Sequence, residues 1–265
     1  MIPNIFHFIF GLSKDFGGKP FNLSHYLALK SAIEVNNPDK VYFYYQYLPE
    51  TEWFRKIQDK LELVKVNPPT EIFSNPLYHV AHKADIIRLE ALKDKGGIYM
   101  DIDTICVKPF TPLLNNKFVI GQQISPNYKQ IQGLCNAVIM STPNSEFLDI
   151  WYNSYSTFRA KPLSENLNKG GGGNYAYWDE HSVYLPKYLS SQHPDKLHVE
   201  DFDSFHFPIW DKAGMGMLFE EEHDLKKAYC HHLWESVSWK YLNNLTVKDI
   251  KTKNTTYNKI ARRFL

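Results

Sequence analysis

HKADIIRLEALKDKGGIYMDIDTICVKP, His82–Pro109, is the stretch whose reading decides the fold. Ile86, Ile87, Leu89, Ala91 and Leu92 recur at helical spacing, and the Leu, Glu, Ala and Lys around them favour a helix. Gly96-Gly97 ends it, because glycine adopts the left-handed C-terminal conformation without a Cβ clash. Ile98-Tyr99-Met100 reads as a short buried strand that delivers two carboxylates, Asp101 and Asp103. Residues two apart on a strand share a face. Two like charges held together repel unless a cation or a shared proton relieves them. Hard divalent ions such as Mg²⁺ and Mn²⁺ prefer carboxylate and phosphate oxygens, so this pair is a seat for a metal carrying a diphosphate. A bare Asp-x-Asp is short, and two solvated aspartates where a strand enters a loop would look the same.

Upstream, Ile2 to Gly11 reads as a first buried strand, Leu23 to Asn36 as a helix and Val41 to Tyr45 as a second strand. Thr51 to Leu61 reads as another helix and Leu63 to Val66 as a third strand. Strands alternating with helices in short steps indicate a parallel sheet wrapped by helices, which binds ligands at the carboxyl ends of its strands. Asn67 to Tyr78 holds three prolines and reads as loop. Downstream, Phe118 to Gly121 and Leu134 to Met140 read as strands and Phe147 to Phe158 as a helix. Gly170 to Gly173 forbid regular structure and suggest a mobile loop or a plain linker. The tail, Leu245 to Leu265, is rich in Lys and Arg. It reads as a solvated basic helix, with docking on an anionic membrane as the alternative.

The 265 residues suit one α/β domain with small helical insertions. Net charge is +1, from 30 basic and 29 acidic residues, so no global field favours nucleic acid as a partner. Cys106, Cys135 and Cys230 are isolated and odd in number, which argues against a disulfide framework and for a reducing, cytoplasmic location. No run is long and apolar enough for a membrane span, and the first residues lack the features of a signal peptide.

Ala84-Asp85-Ile86-Ile87-Arg88, the helix, then Gly96-Gly97-Ile98-Tyr99-Met100-Asp101-Ile102-Asp103 resembles the DXD glycosyltransferases of the GT-A fold. The likeness is greatest to the retaining group of glycosyltransferase family 32. That group includes the yeast initiating mannosyltransferase, α-1,4-galactosyltransferases and capsular polysaccharide enzymes, with the large clostridial glucosylating toxins more distant. The resemblance implies an α/β, Rossmann-like, mostly parallel sheet flanked by helices. It implies a nucleotide-sugar half over about 1–110, an acceptor half over about 111–245, and a separate basic tail over 246–265.

It also implies site roles. Asp103 binds Mn²⁺ or Mg²⁺, and Asp101 binds the metal or the ribose. Asp85 and Arg88 match donor-sugar and diphosphate contacts, and Tyr99 lies beside the donor. His7 matches a histidine near the nucleotide base, although an ordinary core histidine reads the same way. Asn136 matches an amide near the donor sugar and the attacking hydroxyl. Tyr229 to Trp239, YCHHLWESVSW, resembles a late His-x-Trp…Ser-Trp segment. There His232, or alternatively His231, completes the metal shell, and Ser238 and Trp239 donate to the phosphate. The expected activity is hexose transfer from a nucleotide sugar, UDP-linked or else GDP-linked, to a glycan or lipid-linked acceptor in surface polysaccharide synthesis. A non-catalytic carbohydrate-binding protein and a glycoside hydrolase are the rival readings. A hydrolase needs its two carboxylates ~5–9.5 Å apart across the bond, which neighbours on one strand face fit poorly.

Overall fold

A computed structural model describes residues 1–126, 130–164 and 174–265; the four glycines, Gly170 to Gly173, lie outside them. The strands are β1 (Ile5–Ile9), β2 (Lys40–Tyr45), β3 (Glu62–Lys65), β4 (Gly97–Met100), β5 (Thr104–Cys106), β6 (Phe118–Ile124), β7 (Ile131–Ser141), β8 (His198–Glu200) and β9 (Cys230–His232). The helices that matter here are α1 (Leu23–Asn36), α2 (Val80–Lys95), α3 (Glu146–Ser154), α4 (Leu185–Gln192), α5 (Lys212–Phe219), α6 (Glu235–Leu242), α7 (Val247–Thr252) and α8 (Thr256–Ala261). Seven strands form one sheet in the order β8-β6-β7-β4-β1-β2-β3. Only β7 runs antiparallel to its neighbours, β4 and β6; the remaining pairings are parallel.

The sheet is buried on both faces, as parallel sheets require. Along β4, Ile98 and Met100 face a cluster that includes Leu29 and Ala32 of α1, while Tyr99 faces one built on Ile86, Leu89 and Leu92 of α2 and Trp151 of α3. Gly96 and Gly97 do more than stop α2. Both have positive φ, and a Cβ on Gly97 would come within 2.5 Å of the Ile5 carbonyl oxygen. Only glycine lets the chain turn this tightly against β1.

Three expectations are corrected. The segment 51–61 is a single helical turn, Glu52–Arg55, and a tighter turn at Gln58–Lys60, although Phe54 and Ile57 are still buried. The loop 67–78 contains a two-residue ribbon, Glu71–Ile72 with Asn75–Pro76. The tail is not separate, although Lys248, Lys251, Lys253 and Lys259 are exposed. Ile250, Tyr257, Ala261 and Phe264 pack with Leu23, Leu27, Ile105, Leu233 and Leu242 in one apolar cluster. The apolar side of the tail is therefore spent on the core, while these lysines stay on the surface. Arg262 and Arg263 turn back to donate to the backbone carbonyls of Ile250 and Val107. The division at residue 246 falls inside the domain. Ile250→Ala is expected to lower stability by about 2–4 kcal/mol, read as a reduced urea midpoint at unchanged slope; a surface tail would give no change. Among the described residues, no helix is long and apolar enough to cross a membrane.

Candidate active site

Asp101 and Asp103 stand in the turn between β4 and β5, just past the strand end where the sequence placed them. The Asp101 N–H still donates to the Ala137 carbonyl at 2.8 Å, so β7 holds the turn's entry. Its exit is held by β9, which pairs antiparallel with β5 and sets His232 opposite Thr104. Successive strand residues face opposite sides. His232 consequently turns toward the aspartates, with Nε2 3.3 Å from Asp103 Oδ1 and 4.0 Å from Asp101 Oδ2. His231 turns away: its Nδ1 is 2.8 Å from the Phe207 carbonyl, and it lines a separate cavity of about 610 Å³ with Lys108 and Arg263. Of the two histidines, His232 is the one within reach of the carboxylates.

One ligand atom from each of Asp101, Asp103 and His232 lies within 4.8 Å of the others. Two carboxylates and an imidazole form a donor set for a divalent metal ion. The side chain of Asp101 is 26% exposed, against 11% for Asp103 and 10% for His232, so the group opens to solvent over Asp101.

Two supports fix Asp103. Trp234 adopts the left-handed conformation, φ 55° and ψ 55°, unusual for a bulky residue and costing about 1–2 kcal/mol. That turn starts α6 so that the Glu235 N–H donates to Asp103 Oδ2 at 2.7 Å, while the Leu233 N–H donates to the Asp103 carbonyl at 2.8 Å. Burial pushes the Asp103 carboxyl up, but the His232 charge and the Glu235 N–H overcome it and hold the pKa at about 2. Asp101 lies above the usual carboxylate range: burial and the nearby Asp103 charge raise it against the pull of Arg88.

Beneath the pair lies a polar network between α2 and β7. Arg88 is 5% exposed. It donates to the Asn136 carbonyl at 2.8 Å and lies 3.3 Å from both Asp85 Oδ1 and Asp101 Oδ1. The Asn136 amide donates to Asp85 Oδ1 at 2.7 Å. The Arg88 guanidinium sits over the Tyr99 ring, 4.3 Å from its centre, and the Tyr99 hydroxyl donates to Asp101 Oδ1 at 2.5 Å. Asp85, Arg88, Tyr99, Asp101 and Asn136 thus meet in one place. Tyr99 is 1% exposed, so what it contributes passes through Asp101.

His7 is corrected to a core residue. It is wholly buried; its Nε2–H donates to the Gly96 carbonyl at 2.7 Å and its Nδ1 accepts from the Tyr44 hydroxyl at 3.1 Å. Burial lowers its pKa to about 4, and it bolts the end of α2 to β1. Ser238 is also wholly buried on α6, which leaves its hydroxyl no open side for a phosphate in this structure. Trp239 is half-buried, with the Lys19 ammonium 5.7 Å from the centre of its ring.

Sequence reading missed the charged set beside Trp239. The Asn22 N–H donates to His25 Nδ1 at 3.0 Å, which leaves Nε2–H to donate to Glu235 Oε1 at 2.6 Å. Lys19 lies 3.3 Å from the other Glu235 oxygen. His25 and Glu235 are 210 residues apart, so no local pattern links them.

Residues 24–120 match the profile of the glycosyltransferase sugar-binding region containing the DXD motif. Over its whole length the chain is 36% identical to glucan organizing enzyme 1 of Cryptococcus neoformans, covering 71% of that protein. The fold is similar to that of mouse xyloside xylosyltransferase 1, with a TM-score of 0.53 at 10% identity over 88% of this chain and 98% of that one. It is similar also to the glycosyltransferase GlyE of Streptococcus pneumoniae, with a TM-score of 0.52 at 13% identity over 99% of this chain and 60% of that one. With its mostly parallel sheet and its Asp-x-Asp turn, this chain is a GT-A-fold enzyme and belongs to the DXD glycosyltransferase family.

Proposed function

We propose that the enzyme moves a hexose from a UDP-sugar to a hydroxyl of a glycan or glycolipid with retention of anomeric configuration, and that Mn²⁺ or Mg²⁺ is required. The convergence of Asp101, Asp103 and His232 carries this reading. These three side chains would hold the ion, and it would supply a Lewis acid to neutralise charge growing on the leaving diphosphate. Tyr99 and Arg88 fix the Asp101 carboxylate. Asp85 and Asn136, bonded to each other, face the donor hexose, and the Trp239 indole N–H donates to phosphate oxygen. No side chain at the matched positions is an obvious covalent nucleophile, so the acceptor hydroxyl attacks from the leaving-group side and the departing phosphate takes its proton.

The test is release of nucleoside diphosphate from single nucleotide sugars, UDP- and GDP-linked, with Mn²⁺ and with chelator. Release confined to GDP-sugars would overturn the nucleotide assignment, and undiminished release in chelator the metal dependence. An inverted linkage by NMR would overturn retention.

His232→Ala is expected to weaken Mn²⁺ binding about 10–100-fold, whereas His231→Ala leaves it unchanged. Burial alone would lower the His232 pKa, but the Asp103 carboxylate raises it well above the ordinary value. The metal-free imidazole thus carries a proton at neutral pH that must leave before Nε2 takes a cation. Mn²⁺ affinity therefore rises with pH until that raised pKa is passed, and flattens above it. A titration of Mn²⁺ binding across neutral pH that stays level would remove His232 from the ligand set.

A further inference from the structure

Only the Nε2 edge of His232 faces the two aspartates. Its Nδ1 is buried, and beside the ring lie Cys135 of β7 and His206, which follows the helical turn Phe202–Phe205. One ligand atom from each of Cys135, His206 and His232 lies within 4.8 Å of the others. All three residues are buried, at 5%, 1% and 8% exposure. Among the described residues neither ring nitrogen of His206 makes a well-aligned hydrogen bond, nor does Nδ1 of His232; what lies nearest is Cys135, its backbone beside His206 and its thiol beside His232. Buried polar atoms are rarely left so, and three in one pocket call for an occupant. The fold also makes room for His206 there. Gly121 of β6 pairs opposite Cys135, and a Cβ at that position would come within 2.6 Å of the Phe205 ring and 3.2 Å of His206 Nε2.

We propose that Cys135, His206 and His232 form a zinc site separate from the Asp101–Asp103 ion. A thiolate and two imidazoles are the donor set of a borderline-soft ion, and the pocket offers no carboxylate from these residues for a hard one. Three protein ligands leave the fourth position of a tetrahedron open. A bound ion would draw the ligands together by about an ångström, since Zn–N and Zn–S bonds are ~2.0 and ~2.3 Å. On binding, the Cys135 S–H bond breaks, its proton passes to solvent and a Zn–S bond forms; nothing is oxidised or reduced.

The shared imidazole couples the two ions. A neutral histidine has one ring nitrogen with a free lone pair and one N–H. To serve zinc through Nδ1, His232 must carry its proton on Nε2, where it donates to Asp103 across the observed 3.3 Å. To serve the ion at Asp101 and Asp103, it must carry that proton on Nδ1. Zinc therefore antagonises the hard divalent ion. This last step rests on the metal reading proposed above; the zinc site does not.

Cobalt(II) reports the site, because a thiolate–cobalt bond gives a near-ultraviolet charge-transfer band that oxygen and nitrogen ligands do not. With chelator-stripped full chain, Co²⁺ is expected to give this band with intense tetrahedral visible bands, and one equivalent of Zn²⁺ to abolish both. Asp103→Ala should retain the band, and Cys135→Ala and His206→Gln should lose it. Absence of the band in the unsubstituted protein, which needs no variant to fold, would overturn the site. So would its persistence in Cys135→Ala, which would point to Cys106 or Cys230. One equivalent of Zn²⁺ should then weaken Mn²⁺ binding at least 10-fold, read from free Mn²⁺ by electron paramagnetic resonance. Unchanged Mn²⁺ affinity would overturn the coupling. No Mn²⁺ binding even without zinc would instead defeat the earlier metal reading and leave the cobalt result standing.

Discussion

Asp103→Ala is expected to cut nucleoside diphosphate release on the order of 10²–10³-fold or more, the scale of losing one group that stabilises charge in the transition state. Three observations set the size. The carboxylate has a pKa of about 2 and so is an anion throughout the working range. It is the nearer of the two aspartates to His232, at 3.3 Å against 4.0 Å. It also receives the Glu235 N–H that starts α6, at 2.7 Å. Alanine strands that N–H and the buried imidazole, which costs about 1–3 kcal/mol in stability beside the loss of turnover. Asp103→Asn separates the two effects: the amide oxygen can still accept from Glu235, but the charge is gone. Stability near that of the parent with turnover still lost is the expected pattern. Turnover equal to the parent in either variant would remove Asp103 from the reaction.

Arg88→Met is expected to lower stability by about 3–5 kcal/mol, the usual cost of breaking a buried ion pair from one side. In a chain of this length that is a fall in Tm of about 10 °C. The guanidinium lies 3.3 Å from both Asp85 and Asp101, and its removal leaves two negative charges facing each other with little solvent between them. Arg88→Lys should recover only part of the loss. One ammonium cannot reach both carboxylates and the Asn136 carbonyl and also lie flat on the Tyr99 ring. Pairing the change with Asp85→Asn should restore some stability, because one stranded charge is then removed. A Tm within a degree or two of the parent for Arg88→Met would mean that the network adapts without its cation.

Much of this was readable from residue order where local chemistry decides the outcome. The helix Leu23–Asn36 was read to its last residue, because the apolar spacing that marks it is local. The two glycines after α2 and the aspartates beyond β4 were likewise legible. The tail was misread because its six Lys and Arg residues set the reading, while its apolar residues are spaced out and form no run. Ile250, Tyr257, Ala261 and Phe264 cover one side of two short helices, and what they cover is the distant α1 and α6. His25 and Glu235 carried no signal, nor did the pocket of Cys135 and His206. The partners in each come from segments far apart in the chain, brought together only by the sheet and the β5–β9 ribbon.

That ribbon, Thr104–Cys106 against Cys230–His232, dictates an order of events during synthesis. The sheet strands β1 to β4 and the aspartates leave the ribosome well before their imidazole partner, and N-terminal parts generally fold first. Until Cys230 to Glu235 have emerged, Asp101 and Asp103 face each other with neither the histidine nor the Glu235 amide beside them. On the metal reading proposed above, a nascent or prematurely stopped chain would hold much of the sheet while lacking one of the three side chains that grip the ion, and so would not consume the donor.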